Sequence, residues 1–187
     1  MKRAFCVVVL AACSLLSVII LAQSENPFSG IDIDAPTAAL AKNIAAGKWD
    51  KVQASYPADY TKTVLGNPLL KVFISGAKGP VADIAELKKT KGPKIVKKRV
   101  DSCNNLTKEN PKRGKRCFEH LATNADLNDK QVGQYWLHGA LISEYNQQRG
   151  LAEGVRIDWA FDTKSKQLIL LRIKYVEIKP SENEGGE

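Results

Sequence analysis

The sequence predicts an α+β fold, in which N-terminal helices pack on a curved antiparallel sheet that ends in a C-terminal β-hairpin. Two observations predict it. Apolar residues recur at helical spacing in the first half of the chain, as between Leu40 and Ala45. Residues 155–161 instead alternate between apolar and polar, and residues 168–178 repeat this pattern after a turn at 162–166. Helices first and strands last are typical of this fold class.

The first helix is predicted to begin near Asp34 and to end at Gly47, a residue suited to a C-terminal cap. A second short helix covers residues 49–56 and stops before a proline. Residues 69–74 fit either a helix or a strand. A further helix is predicted for residues 80–89, where apolar residues share one face.

From Pro93 onward the pattern changes, and we expect a β-hairpin around Cys103 and Cys117 that a disulfide closes near its tip. The stretch 126–150 fits a buried helix, or a long strand with both faces covered. We favour the strand.

The N-terminus has the layout of an export signal. Two basic residues precede the apolar stretch 4–22, and Glu25 would be the first mature residue, so residues 1–24 form the predicted signal peptide. An uncleaved membrane anchor formed by residues 4–22 is the main alternative. Acylation of Cys13 is a third interpretation, although the residues after Cys13 stay apolar. Under each of these three interpretations the domain is exported, and it is predicted to be periplasmic or secreted.

The remaining chain is predicted to be one domain. Residues 25–35 form a tether, residues 36–180 a single α+β domain, and residues 181–187 a disordered acidic tail. In an oxidising compartment Cys103 and Cys117 are expected to pair, and closing a loop of this size contributes about 3 kcal/mol. A metal site with His120 would need more ligands than the neighbouring sequence supplies, so no metal and no cofactor is expected.

Charge is unevenly distributed along the chain, whose net charge is +8. Residues 88–116 contain twelve basic and two acidic residues, a net charge of +10, whereas the rest of the mature chain carries −4. Two interpretations of this basic segment stay open. It is either a solvated face or a binding surface for anions. The residues proposed for that surface are Lys94, Lys97, Lys98, Arg99, Lys112, Arg113, Lys115 and Arg116.

The first hypothesis is therefore an exported, non-enzymatic binding or assembly protein of the cell envelope. Its partner would be an anionic envelope component or an acidic protein, with a membrane surface as a further option. Nucleic acid is disfavoured, because Phe118 is the only aromatic residue near these charges and single-strand binding needs stacking platforms.

Two alternatives stay open. A carrier of a small apolar ligand or lipid would use an aromatic cavity lined by Trp49, Trp136 and Trp159. A small hydrolase or isomerase-like enzyme would pair His138 with Asp158 as a general base. The same tryptophans are typical of an ordinary core, and Asp158 alternates onto the face opposite Trp159, which argues against the pair.

The joint Ala45-Ala46-Gly47-Lys48-Trp49-Asp50 and the terminal GVRIDWAFD…LILLRIKYVEI hairpin resemble the cone-shaped proteins of the nuclear transport factor two-like superfamily. The resemblance covers about two-thirds of the mature chain and rests on patterns. Exported members include enzymes, lipid carriers and components of secretion machines. The resemblance therefore implies a fold and a pocket, and no particular activity.

Overall fold

The computed structural model describes residues 31–124 and 130–178. The predicted signal peptide, Cys13, most of the tether and the acidic tail lie outside these residues. Within them the α+β fold is confirmed, with helices packed against a five-stranded antiparallel sheet. No helix in the described ranges is long and apolar enough to cross a bilayer.

Six α-helices precede the strands in the described chain. Their bounds are α1 Asp34–Ala45, α2 Trp49–Gln53, α3 Pro68–Lys71, α4 Pro80–Lys88, α5 Gly92–Glu109 and α6 Pro111–Glu119. A π-helical turn, Thr61–Leu65, lies between α2 and α3. The helices predicted from near Asp34 to Gly47, at 49–56 and at 80–89 are confirmed as helices, and the undecided segment 69–74 contains α3 followed by turns.

The strands are β1 Thr123–Asn124, β2 Lys130–Val132, β3 Tyr135–Asn146, β4 Leu151–Asp162 and β5 Gln167–Ile178. The order is β1-β3-β4-β5, and β2 also pairs with β3. The strand favoured for the stretch 126–150 is confirmed by β3, and the predicted C-terminal hairpin is confirmed by β4 and β5.

The two faces of the sheet have different neighbours. The face that carries Val155, Ile157 and Trp159, here called the Trp159 face, packs under α1 and α5, since the indole N–H of Trp159 donates to Thr37 Oγ1 at 3.1 Å. The opposite Asp158 face meets the segment after the π-helical turn, where Asn67 Nδ2 donates to the hydroxyl of Tyr135. The buried core includes residues of both faces, such as Val155 and Ile157 on the Trp159 face and Leu137 and Ala160 on the Asp158 face.

Two tyrosines close the open edge of β5. The hydroxyl of Tyr60 donates to the Leu171 carbonyl at 2.6 Å, and the Ile173 N–H donates to the hydroxyl of Tyr56 at 3.1 Å. An open strand edge invites pairing with another chain. Burial raises the pKa of Tyr60 to about 12, so this hydroxyl stays a donor at physiological pH.

The predicted β-hairpin around Cys103 and Cys117 is wrong, because residues 92–119 form the two antiparallel helices α5 and α6. Ile95 and Val96 suggested a strand through their β-branched side chains. However, Ile95, Val96, Val100 and Cys103 are all buried on one side of a helix that starts with a proline in its first turn. Burial of that shared face outweighs the local preference of β-branched residues for strands.

Candidate anion-binding surface

The helix pair α5–α6, here called the basic helical hairpin, is anchored to the sheet by the start of α5. A side chain at Gly92 would come within 2.8 Å of Val155 Cγ2 and 2.9 Å of Leu87 Cδ1. The absence of a side chain therefore lets the backbone of α5 lie directly on β4. From this point the buried residues of α5 hold it against the core, and its other side faces solvent.

The junction between the two helices is fixed by a cap. Asn110 is extended and ends α5, while its Oδ1 accepts from the N–H groups of Lys112 and Arg113 at 3.1 and 3.2 Å. Pro111 occupies the first position of α6, where its missing N–H costs nothing. This Asn-Pro pair is therefore a helix stop followed at once by a helix start.

A close contact and a disulfide hold α6 onto α5. A Cβ at Gly114 would lie 2.0 Å from Thr107 Oγ1 and 2.4 Å from Thr107 Cα, so only glycine permits this approach. Cys103 and Cys117 form the predicted disulfide, with a Cα–Cα distance of 5.4 Å. Because both sulfurs are in this bond, neither is a thiolate ligand for a metal.

All eight residues of the proposed basic surface lie on this hairpin and are exposed. Three have an acidic partner, and these pairs are Lys97–Asp101, Lys98–Glu144 and Lys115–Glu119. Among the described residues, the other five form no ion pair: Lys94, Arg99, Lys112, Arg113 and Arg116. Exposed ion pairs are weak, but they lower the local positive potential around the residues that form them.

The two ends of the hairpin consequently differ. Residues 92–109 form a helix about 27 Å long, so Lys94 and Arg113 lie near opposite ends of it. Near the start of α5, a groove of about 750 Å³ is lined by Lys91, Lys94 and Lys98 together with the carboxylates of Glu144 and Glu153. The two carboxylates offset part of the positive charge at that end.

The same groove contains Tyr145, which is 60% exposed and is distant in sequence from the basic residues that it lies beside. It comes from β3, and no local pattern could have placed it beside α5. Only the pairing of β3 with β4 and the packing of α5 on both strands bring it there.

Positive charge is concentrated at the other end, on the outward side of α6, here called the α6 basic face and made of Lys112, Arg113, Lys115 and Arg116. The first turn of α6 has no acidic residue to complement the helix dipole. The spacings i,i+3 and i,i+4 also bring like charges together, as between Lys112 and Arg116. The helix by itself is therefore unfavourable, and its contacts with α5 keep it folded.

The candidate catalytic pair does not form. The register places His138 opposite Trp159 and Asp158 opposite Gly139, so their side chains lie on opposite faces of the sheet. Asp158 is buried between two arginines: Arg156 Nε donates to Oδ1 at 2.6 Å, and Arg172 donates to Oδ2 from Nη2 at 2.8 Å. The carboxylate therefore has a structural role in a buried ion network.

The three tryptophans occupy different surroundings. Trp159 is buried against α1, Trp49 is half-buried with Lys88 Nζ 5.0 Å from its ring, and Trp136 pairs across the sheet with Phe161. The large surface cavities found beside α2 and beside α1 are lined by other residues. The aromatic carrier site stays a prediction.

Both histidines influence the pKa of Asp34, the first residue of α1. Burial and the charge of Asp32 raise the pKa of Asp34, while His120 and His138 lower it. These groups do not amount to a metal site, since no group of three or more potential ligand side chains in the described ranges could hold a metal ion.

The chain matches no protein-family model, no curated protein and no solved structure.

Proposed function

We propose that this protein is an exported, non-enzymatic binding or assembly protein of the cell envelope, which contacts an anionic partner through the basic helical hairpin. The observation that supports this most is the α6 basic face. Lys112 and Arg113 are in the first turn of this nine-residue helix, where they oppose the helix dipole, and the four cations of the face repel one another. Residues that break local rules without a structural benefit are typical of functional sites.

The way in which α6 is held also supports the proposal. Gly114 and the Cys103–Cys117 disulfide fix α6 against α5, so the four side chains start from a common rigid support. A preformed array of charges loses less conformational freedom on binding than a flexible segment does. The disulfide is compatible with an oxidising compartment and hence with export.

The test is salt-dependent binding of the full chain to immobilised polyanions, namely polyglutamate and a sulfated polysaccharide. The test variant is K112E/R113E/R116E, because these three cations have no ion-pair partner among the described residues. Reversing Lys97 and Lys98 would be less informative, since both already have acidic partners.

A matched control is K51E/K62E/K71E, which changes the net charge equally at exposed lysines of other segments. We expect the wild type and the control to elute at similar salt concentrations, and the α6 variant to elute much earlier. Circular dichroism checks that both variants are folded. Equal loss of binding in both variants would show that only net charge matters, and would contradict a specific surface.

A further inference from the structure

The α6 basic face lies beside the point where the described domain begins. A groove of about 890 Å³ lies between α1 and α6, and its lining includes Asp32 and Asp34 from the start of α1 and Pro111, Lys115 and His120 from α6 and its C-terminal cap. Lys42 Nζ, 3.9 Å from the centre of the Phe118 ring, also joins the two helices. The basic helix α6 therefore lies alongside α1, whose start lies near the beginning of the described chain.

The sequence that precedes this point contains the apolar stretch 4–22. Nine residues separate Ala22 from Asp32, and a chain of nine residues reaches at most about 30 Å. If the stretch stays in a bilayer as an anchor, Asp32 is held within that distance of the membrane surface, and α6 lies beside it across the groove. If it is cleaved, α6 remains an exposed cationic helix.

The side chains of the α6 basic face are better suited to a planar surface of anionic groups than to the surface of a partner protein. Large apolar residues are exposed at Leu69, Val72, Val81 and Tyr145 in the described ranges, and none of them belongs to α5 or α6. A protein–protein interface normally has an apolar or aromatic centre within a polar rim. A helix that offers only charges on its outward side suits lipid headgroups, which attract basic residues without apolar contact.

We infer that the anionic partner is the headgroup surface of a lipid bilayer that contains anionic lipids, with the α6 basic face lying against it. This inference rests on the proposed function and specifies its partner. Each basic residue near such a surface strengthens binding roughly fivefold at moderate ionic strength, and salt weakens it. Three engaged cations would therefore change the affinity by roughly a hundredfold.

The experiment is a lysine-acetylation footprint of the full chain, read by peptide mass spectrometry. The protein is mixed with vesicles of phosphatidylcholine alone, or with vesicles that also contain phosphatidylglycerol. Because any insertion of the N-terminal stretch occurs in both vesicle types, the difference between them reports on headgroup charge. Lys62 and Lys71 serve as internal controls away from the hairpin.

We expect acetylation of Lys112 and Lys115 to slow severalfold with the anionic vesicles, to recover in high salt, and to be unchanged at Lys62 and Lys71. In the variant R113E/R116E, the protection of Lys112 and Lys115 should disappear. Equal reactivity in both vesicle types, or protection at Lys62 and Lys71 instead, would overturn the inference.

A third arm, with soluble polyglutamate in place of vesicles, separates this inference from the proposed function. Protection of Lys112 and Lys115 by polyglutamate but not by anionic vesicles would overturn the lipid partner and keep anion binding. Absence of protection by both would overturn the inference and the proposed function together.

Discussion

Replacing Gly114 with alanine tests how closely α6 lies on α5. In an exposed helix, glycine to alanine stabilises by about 1 kcal/mol. Here the new Cβ would lie 2.4 Å from Thr107 Cα, and no side-chain rotation can relieve a contact with backbone. Overpacking of this kind costs about 1 to 3 kcal/mol, and the backbone contact puts Gly114→Ala at the upper end. We therefore expect a net loss of about 2 kcal/mol.

The assay is urea unfolding followed by tryptophan fluorescence, together with thermal melting, where each kcal/mol corresponds to a shift of about 2 to 4 °C for a domain of this size. The control Asn105→Ala is on the exposed side of α5 and should be neutral or slightly stabilising. Adding Thr107→Ala to Gly114→Ala should restore little, because Thr107 Cα and Cβ remain too close. A Gly114→Ala protein as stable as the wild type would refute the close packing.

Three further changes should alter stability in defined ways. Replacing Cys103 and Cys117 together with alanine should lower the free energy of unfolding by about 3 kcal/mol, measured by urea titration, because the cross-link closes a sequence separation of 14 residues. Asp158→Ala should cost about 3 to 5 kcal/mol in the same assay, since it leaves the buried Arg172 without its carboxylate. Asp83→Asn should weaken the pH dependence of stability: burial raises the pKa of Asp83 above its ordinary 3.8, so acidification through the raised pKa stabilises the wild type and not the variant.

Each of these predictions has a clear contrary result. A cysteine-free protein as stable as the oxidised wild type would show that the disulfide does not support α6. A small effect of Asp158→Ala would mean that the arginines find other partners or water. Asp83 Oδ2 has no hydrogen-bond partner among the described residues, so Asp83→Asn should not destabilise at neutral pH. A pH profile equal to that of the wild type would contradict the assignment to Asp83.

The sequence predicted the elements whose pattern is long and whose boundaries have clear stop residues. The alternation in 155–161 and its return in 168–178 predicted β4 and β5, because period-two patterns of that length have few other solutions. The first helix was predicted equally well from helical spacing followed by Gly47.

The prediction failed where local preference and tertiary packing disagreed. Val96 and Val100 favour strands by side-chain shape, yet both are buried on one side of α5. Asn110-Pro111 is typical of a loop, yet here Asn110 caps α6. The proposed basic surface was selected from charge alone and stays a prediction, and the arrangement of its residues on two helices depends on Gly114 and on the disulfide.

Which side chains contact each other across the sheet could not be predicted from the sequence. The alternation rule already argued against a His138–Asp158 pair, and the register of β3 with β4 shows why it does not form. Arg156 is on the same strand and the same face as Asp158, whereas Arg172 comes from β5, and its approach depends on a register that no short pattern specifies. The resemblance to the nuclear transport factor two-like superfamily stays a prediction.

The most direct test of the central claim is hydrogen exchange of the full chain, measured by mass spectrometry with and without polyglutamate. If the basic helical hairpin is the contact surface, exchange should slow in the peptides that contain residues 111–119, and it should stay unchanged in those that contain residues 49–71. Slowed exchange in residues 49–71, with residues 111–119 unaffected, would contradict the account and place anion binding on another surface.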